Sequence, residues 1–165
     1  MRIGIVSQSY YPRYGGVTEN VHHTAVELRK RGHEVIIITG RYRSRKETDH
    51  SVGVERVGHN ILIPFNRAFV DFTVGLTLRR QLRRLFEQHD FDLVHIHGPN
   101  TPSLPILAAQ TAPCPIVGTF HATNDGSFLQ DAFKPLLTRV MDRIDGRIAV
   151  SETCLLYTSP SPRDS

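Results

Sequence analysis

Met1-Arg2-Ile3-Gly4-Ile5-Val6-Ser7, followed after a polar turn by Gly15-Gly16-Val17 and then by Gly32-His33-Glu34-Val35-Ile36-Ile37-Ile38-Thr39, is the part of this 165-residue chain that decides its fold. Ile3 to Ser7 and Val35 to Thr39 are brief runs rich in Val and Ile, the composition of strands covered on both faces of a parallel sheet. Between them Val17, Val21, Ala25 and Leu28 recur at intervals of three and four, and Gly32 supplies a helix stop. Strand, helix and strand in this order make a βαβ unit.

The alternation continues along the chain. Leu93 to His97, Ile116 to Phe120 and Arg147 to Val150 are further short apolar runs bounded by Gly, Pro, Asp or Asn. Helical period predicts helices over about Phe72 to Gln88, Ser103 to Thr111 and Ser127 to Ile144, with Arg41 to Ile63 as a loop carrying one or two short edge strands. The fold class is therefore α/β: a doubly wound, mostly parallel Rossmann-like sheet with right-handed crossovers, occupying residues 1–152 as one domain. Residues 153–165 break the pattern. The stretch Thr158-Ser159-Pro160-Ser161-Pro162-Arg163-Asp164-Ser165 continues neither helix nor strand and reads as a disordered tail. It resembles the peptide translated from a sequencing adapter at the end of an assembled gene, so the natural protein is expected to be longer.

Composition bounds the class of function. Hydrophobic residues at 39% and charged residues at 22% exclude wholesale disorder, and a formal charge of +4 suits an anionic partner without choosing one. Cys114 and Cys154 form no C-x-x-C pair, so no disulfide framework is read and a reducing cytoplasm is expected. No stretch approaches the ~18 apolar residues of a membrane span. Secretion and integral insertion are both set aside on this reading.

In open parallel sheets ligands bind outside the carboxyl ends of strands, so the loops after each strand are the place to look. After the first strand, Ser9-Tyr10-Tyr11-Pro12-Arg13-Tyr14-Gly15-Gly16 leads straight into the first helix. Two glycines admit close approach of a ligand, and free N–H groups with the helix dipole offer a place for a diphosphate; a plain strand-to-helix turn would also account for them. The spacing is neither G-x-G-x-x-G nor a P-loop, so no nicotinamide or ATP fingerprint is present. His95 and His97, two apart on a strand, share a face; no third and fourth ligand follows at metal-binding spacing, and a satisfied polar strand end is the competing reading. Asp90-Phe91-Asp92 has the D-x-D form of a metal site but precedes its strand, at the end opposite the ligand rim. His121, just beyond the Ile116 to Phe120 strand, suits hydrogen bonding to a sugar or phosphate oxygen, or proton transfer, or a structural role. No G-x-S-x-G elbow supports a nucleophilic serine.

Phe69 to Leu85 carries a second message. At ~100° per residue Val74, Leu78, Leu82 and Leu85 share one face, expected to pack on the sheet. The opposite face gathers Phe69, Phe72 and Leu76 with Arg79, Arg80, Arg83 and Arg84, and no acidic residue intervenes before Glu87. Such a surface suits an anionic membrane interface, where each basic residue contributes about 1 kcal/mol. A solvated basic face is the alternative; nucleic acid is not indicated, since no stacking platform or recognition helix accompanies the arginines.

Taken in order, M-R-I-G-I-V with Gly15-Gly16-Val17, G-H-E-V at Gly32 to Val35, I-P-F-N at Ile63 to Asn66, the basic helix, F-D-L-V-H-I-H-G-P-N at Phe91 to Asn100, T-F-H at Thr119 to His121 and G-R-I-A-V-S-E at Gly146 to Glu152 resemble the N-terminal, acceptor-binding domain of GT-B family 4 retaining glycosyltransferases. Within that family the likeness is greatest to enzymes that mannosylate phosphatidylinositol. The resemblance implies transfer of a sugar, mannose from GDP-mannose, with retention and no obligatory metal, to a lipid-linked acceptor at the inner face of the cell membrane. It implies that Gly15 and Gly16 cradle the donor diphosphate, that His121 contacts the transferred sugar, and that Thr18, Asn66 and Thr123 lie on the acceptor side. The partners implied are a nucleotide sugar, a glycolipid or phospholipid acceptor and an anionic membrane surface. There are departures on the acceptor side: relatives acting on phosphatidylinositol carry Tyr where Phe65 stands, Gln near Thr18 and a basic residue near Asp71. The C-terminal donor-binding domain of the family is absent from the printed sequence, and the chain as printed is expected to be inactive alone. Two other readings stay open at this point: a UDP-sugar enzyme of the same fold making cell-wall or capsular glycans, and a non-catalytic membrane or glycolipid-binding module.

Overall fold

The computed structural model describes residues 1–43, 52–65, 68–121 and 137–151. In chain order the elements are β1 (Arg2–Ser7), α1 (Gly16–Lys30), β2 (Glu34–Gly40), β3 (Gly53–Val57), β4 (His59–Phe65), β5 (Ala68–Val74), α2 (Leu78–His89), β6 (Leu93–His97), α3 (Leu104–Thr111), β7 (Ile116–Phe120) and β8 (Gly146–Ala149). Six strands form one sheet in the order β3-β2-β1-β6-β7-β8, every pairing parallel. The register sets Ile3 beside Val35 on one side and beside Leu93 on the other.

Adjacent residues of one strand serve opposite layers, which is why these strands read as unbroken apolar runs. Ile3, Ile5, Val35 and Ile37 pack against Val21 and Ala25 of α1. Val6, Ile38, Val94, Ile96 and Ile116 pack on the other face with Leu82 and Phe86 of α2, Leu104 and Ala108 of α3, and Val140 from a helical segment over 137–141. Each fully buried aliphatic side chain contributes about 1.5–3 kcal/mol relative to exposure, so both layers are held by the same residues that define the strands. The sheet is doubly wound. Its strand order reverses between β1 and β6, the topological switch point at which open α/β sheets leave a crevice beyond their carboxyl ends.

The sequence reading fails over Phe72 to Gln88. Residues 68–74 form β5, paired antiparallel with β4 from His59↔Val74 to Phe65↔Ala68, and α2 begins only at Leu78. Phe69 and Phe72 therefore lie on a strand and not on the helix face with the arginines. The reason is a clash of periods. Ala68-Phe69-Val70-Asp71-Phe72-Thr73-Val74 is rich in β-branched and aromatic residues, and Gly75 separates it from the helical period that begins at Leu78. Leu78, Leu82 and Phe86 are the buried stripe of α2, with Leu85 packed at its margin. Within Arg41 to Ile63, β3 is the expected edge strand of the main sheet, whereas His59 to Ile63 belongs to the separate hairpin. Of the expected Ser127 to Ile144 helix, 137–141 is helical and 127–136 lies outside the described residues.

Candidate functional site

β1, β6 and β7 are parallel neighbours, so the loops after Ser7, His97 and Phe120 leave the sheet at one rim. Gly15-Gly16 opens the helix that follows β1, and His121 follows β7, a strand two places from β1 in the sheet. Both sequence-chosen groups thus belong to loops at the carboxyl rim, on either side of β6.

The glycine turn is open. Gly15 and Gly16 are exposed, Gly15 is extended with φ 168°, and a Cβ at either position would meet nothing within 4 Å. Neither packing nor backbone conformation among the described residues requires glycine here. The first intrahelical bond of α1 runs from Glu19 N–H to Gly15 C=O at 3.0 Å, and no side chain caps the helix. The N–H groups of Gly16, Val17 and Thr18 precede that bond, at the positive end of the helix dipole. Such an end can hold an anion. Thr18 itself is buried, and its hydroxyl donates to the Arg13 carbonyl at 2.8 Å, shaping the loop from within.

On β6 and β7 three imidazoles stack. His95 and His97 rings lie 4.4 Å apart, and His97 and His121 rings 5.0 Å apart at 20°. His97 Nδ1 is 2.8 Å from His121 Nε2, and His95 Nε2 is 2.7 Å from Thr119 Oγ1. Burial pushes His95 down to about 4, helped by His121, and His97 down to about 2, helped by both neighbours. His121, half-buried at the rim, is also lowered by burial. The stack is therefore neutral near pH 7, able to donate or accept hydrogen bonds but carrying no charge. Gly98 turns the chain away from β6 with φ 65°, the left-handed region glycine enters without penalty, and its N–H donates to the Thr119 carbonyl at 2.8 Å.

The β4–β5 hairpin closes the rim beside β1. Asp71 of β5 is buried and its Oδ2 accepts from Ser9 Oγ at 2.6 Å, from Tyr42 Oη at 3.0 Å and from Arg13 Nε at 3.2 Å. Gln8 Nε2 donates to the Asp71 carbonyl at 2.7 Å, and Asn60 Nδ2 donates to the Gln8 carbonyl at 3.2 Å. A Cβ at Gly40 would fall on the Asn60 amide, so a glycine there lets the hairpin approach the end of β2. Asp71 thus ties the hairpin to the loop that carries the glycine pair. Its carboxylate is committed inward, at the position near which relatives acting on phosphatidylinositol are expected to carry a basic residue. Burial, then the Asp71 carboxylate, pushes the Tyr42 phenol up to about 12.

Arg79, Arg80, Arg83 and Arg84 are all exposed on α2, opposite its buried stripe. Leu76, in the turn before the helix, is fully exposed. An open, mainly apolar groove of about 530 Å³ runs between this turn and α3, lined by Phe72, Val74, Leu76, Leu78, Ser103 and Leu107. The sequence reading missed Ile61, Leu62 and Ile63, which are also exposed on β4. Their signal was the short, β-branched apolar run Ile61-Leu62-Ile63, masked by the assignment of that stretch to a loop. Asn66 and Thr123 lie outside the described residues, as does the side chain of Phe69. The D-x-D residues stand at the opposite rim: Asp90 Oδ2 pairs with Arg2 Nη2 at 2.8 Å, and Asp92 Oδ2 accepts from Arg2 N–H at 2.6 Å. Among the described residues no group of three His, Cys, Asp or Glu is arranged to hold a metal ion, and no helix is long and apolar enough to cross a membrane.

Comparison with known proteins adds a lineage to this geometry. The model of Glycosyltransferase Family 4 matches residues 14–157. A phosphatidyl-myo-inositol mannosyltransferase of Mycolicibacterium smegmatis is 37% identical over 152 residues, covering 92% of this chain and 39% of its own length. The phosphatidylinositol N-acetylglucosaminyltransferase GPI3 subunit of Saccharomyces cerevisiae is 29% identical over 157 residues, covering 92% of this chain and 34% of its own. The chain thus spans about two-fifths of the length of the curated relatives it matches. Among solved structures, MurG of Acinetobacter baumannii superposes with a TM-score of 0.62 at 15% identity, over 98% of this chain and 43% of its own, a likeness of fold.

Proposed function

Since the chain belongs to glycosyltransferase family 4, we propose that it is the acceptor-side, membrane-facing half of an enzyme that transfers mannose from GDP-mannose, with retention of configuration, to a phosphatidylinositol-type lipid. The observation that carries this reading is the convergence of an uncapped, sterically open helix N-terminus and a neutral histidine on one rim, across the topological switch point. In transfer the bond between the anomeric carbon and the diphosphate oxygen breaks. Charge grows on the departing diphosphate, and the N–H groups that open α1 at Gly16 meet that charge without reorganising. Gly15 and Gly16 keep the approach clear. His121 hydrogen-bonds the sugar and holds its ring for attack, on the retained face, by the acceptor hydroxyl, whose proton passes to the departing diphosphate. Asn66 and Thr123 complete the acceptor side, and Thr18 fixes the Arg13 carbonyl beneath it.

The membrane face in this reading is formed by Arg79, Arg80, Arg83 and Arg84 with Leu76, beside the groove that Phe72 of the hairpin lines; the sequence expectation that Phe69 and Phe72 share that face does not survive their place on a strand, where residues 69 and 72 fall on opposite faces. Guanidinium groups meet anionic headgroups at about 1 kcal/mol each, and Leu76 enters the acyl boundary. The enzyme would act on the inner face of the cell membrane as a peripheral protein. A second domain, supplied by sequence beyond this chain, would bring the nucleotide and close the cleft against water. The test is mannose transfer to phosphatidylinositol by the protein encoded by the uninterrupted reading frame. Transfer from GDP-mannose, lost in His121→Ala, is the expected result; transfer from UDP-sugars alone, or full activity of His121→Ala, overturns it.

A further inference from the structure

We infer that His97 is a positioning residue that holds His121 in its Nδ1–H tautomer, leaving that N–H as the donor a ligand meets. The inference rests on the reading of His121 as the sugar-facing group, and it deepens that reading by naming which nitrogen acts and in which protonation form.

A hydrogen bond between two neutral imidazoles has one donor and one acceptor, so the 2.8 Å contact from His97 Nδ1 to His121 Nε2 admits two arrangements. In the first, His97 carries its proton on Nδ1 and donates it; His97 Nε2 is then a bare lone pair. In the second, His97 carries its proton on Nε2 and accepts at Nδ1. His97 is 2% exposed, and its Nε2 is buried with no hydrogen-bond partner among the described residues. The second arrangement therefore buries an N–H donor with nothing to receive it, the rarer defect in folded proteins, whereas the first leaves only an unused acceptor. The first prevails. His121 then accepts at Nε2, and its single ring proton sits on Nδ1. His95 supports the geometry from behind. Its ring lies 4.4 Å from that of His97, and its own Nε2 is engaged by Thr119, so His97 cannot turn without displacing both. Free imidazole side chains favour the Nε2–H form, so the tautomer assigned here is one the fold imposes.

A donor at Nδ1 selects for oxygen acceptors on the ligand, a hydroxyl or a phosphoryl oxygen of the donor sugar, and confers no attraction through charge. The experiment is long-range proton–nitrogen NMR of the full chain labelled in its histidine rings, at neutral pH, comparing the wild type with His97→Leu and His97→Asn. The expected wild-type pattern is a protonated, pyrrole-like Nδ1 and a bare, pyridine-like Nε2 on His121. His97→Leu should shift His121 toward Nε2–H, and His97→Asn, whose amide N–H stands near the Nδ1 position, should restore Nδ1–H. A wild-type His121 protonated on Nε2 overturns the inference, as does an unchanged His121 pattern in a folded His97→Leu; if that variant fails to fold, the wild-type spectrum alone decides. The spectrum is independent of glycosyl transfer. Retained activity in His121→Ala strikes the sugar-facing role while leaving the tautomer assignment intact, so the two failures are distinguishable.

Discussion

Two buried polar clusters stand at the same rim and solve the problem of polarity in an interior by opposite means. The histidine stack on β6 and β7 stays uncharged: His95, His97 and His121 share neutral hydrogen bonds and ring contacts. The cluster around Asp71 is ionic, with one carboxylate oxygen receiving Ser9, Tyr42 and Arg13. The neutral cluster leaves a group at the surface that can address a ligand. The ionic one spends its donors inward and fixes the hairpin to the glycine loop. Buried charge must be paired, buried imidazole can simply discharge, and that difference separates the part of the rim available for chemistry from the part that holds it in shape.

The largest effect that distinguishes the clusters is acid lability. Unfolded histidines take up protons near 6.5, whereas His95 and His97 in the fold do so only near 4 and 2. Between these values the unfolded chain binds more protons, so stability is fully present above 6.5 and falls as pH falls, by about 1.4 kcal/mol per pH unit for each histidine. Denaturant unfolding at a series of pH values should show this slope from 6.5 toward 4, with His121 adding in the same direction, and His97→Asn should remove one histidine's share of it; a flat profile would break the comparison. Next in size is Asp71→Ala. It removes an acceptor shared by three donors, and a loss of about 3 kcal/mol is expected in the same assay, moderated because Arg13 keeps a third of its side chain in solvent. Asp71→Asn, which keeps an acceptor but no charge, should cost about 1–2 kcal/mol and let the Tyr42 phenol titrate closer to the usual 10, read by ultraviolet absorbance. The smallest effect is at Gly16. A methyl group there enters open space at a helical position, so Gly16→Ala should change stability by less than about 1 kcal/mol, in the stabilising direction, while weakening use of the nucleotide sugar in the completed enzyme. Marked destabilisation would give that glycine a packing role instead.

The main sheet was legible because its strands are buried on both faces, and nothing but an apolar run can occupy such a place. Ile3 to Ser7, Val35 to Thr39 and Leu93 to His97 appear within a residue or two of where periodicity sets them. The placement of Gly15, Gly16 and His121 in loops after parallel strands, at one rim, was legible from the sequence; the roles given to them belong to the proposal. The hairpin was not legible. Its residues at 68–74 satisfy a helical repeat when continued into α2, and its position depends on Asp71, Gln8 and Asn60 finding partners that no local pattern announces. The same holds for His97. Two histidines on one strand face were visible, but the contact with His121 arises only once β6 and β7 are in register, His97 beside Thr119.

The hairpin's attachment has one more consequence. β4 and β5 ladder with each other alone, through seven residue pairs, and among the described residues a single backbone bond, Asn60 N–H to Arg41 C=O, links them to the end of β2. A module hung on side chains can be exchanged without re-registering the layer beneath it. Substitutions in this one short ribbon can therefore reshape the surface beside the glycine turn while the six-stranded layer keeps its register.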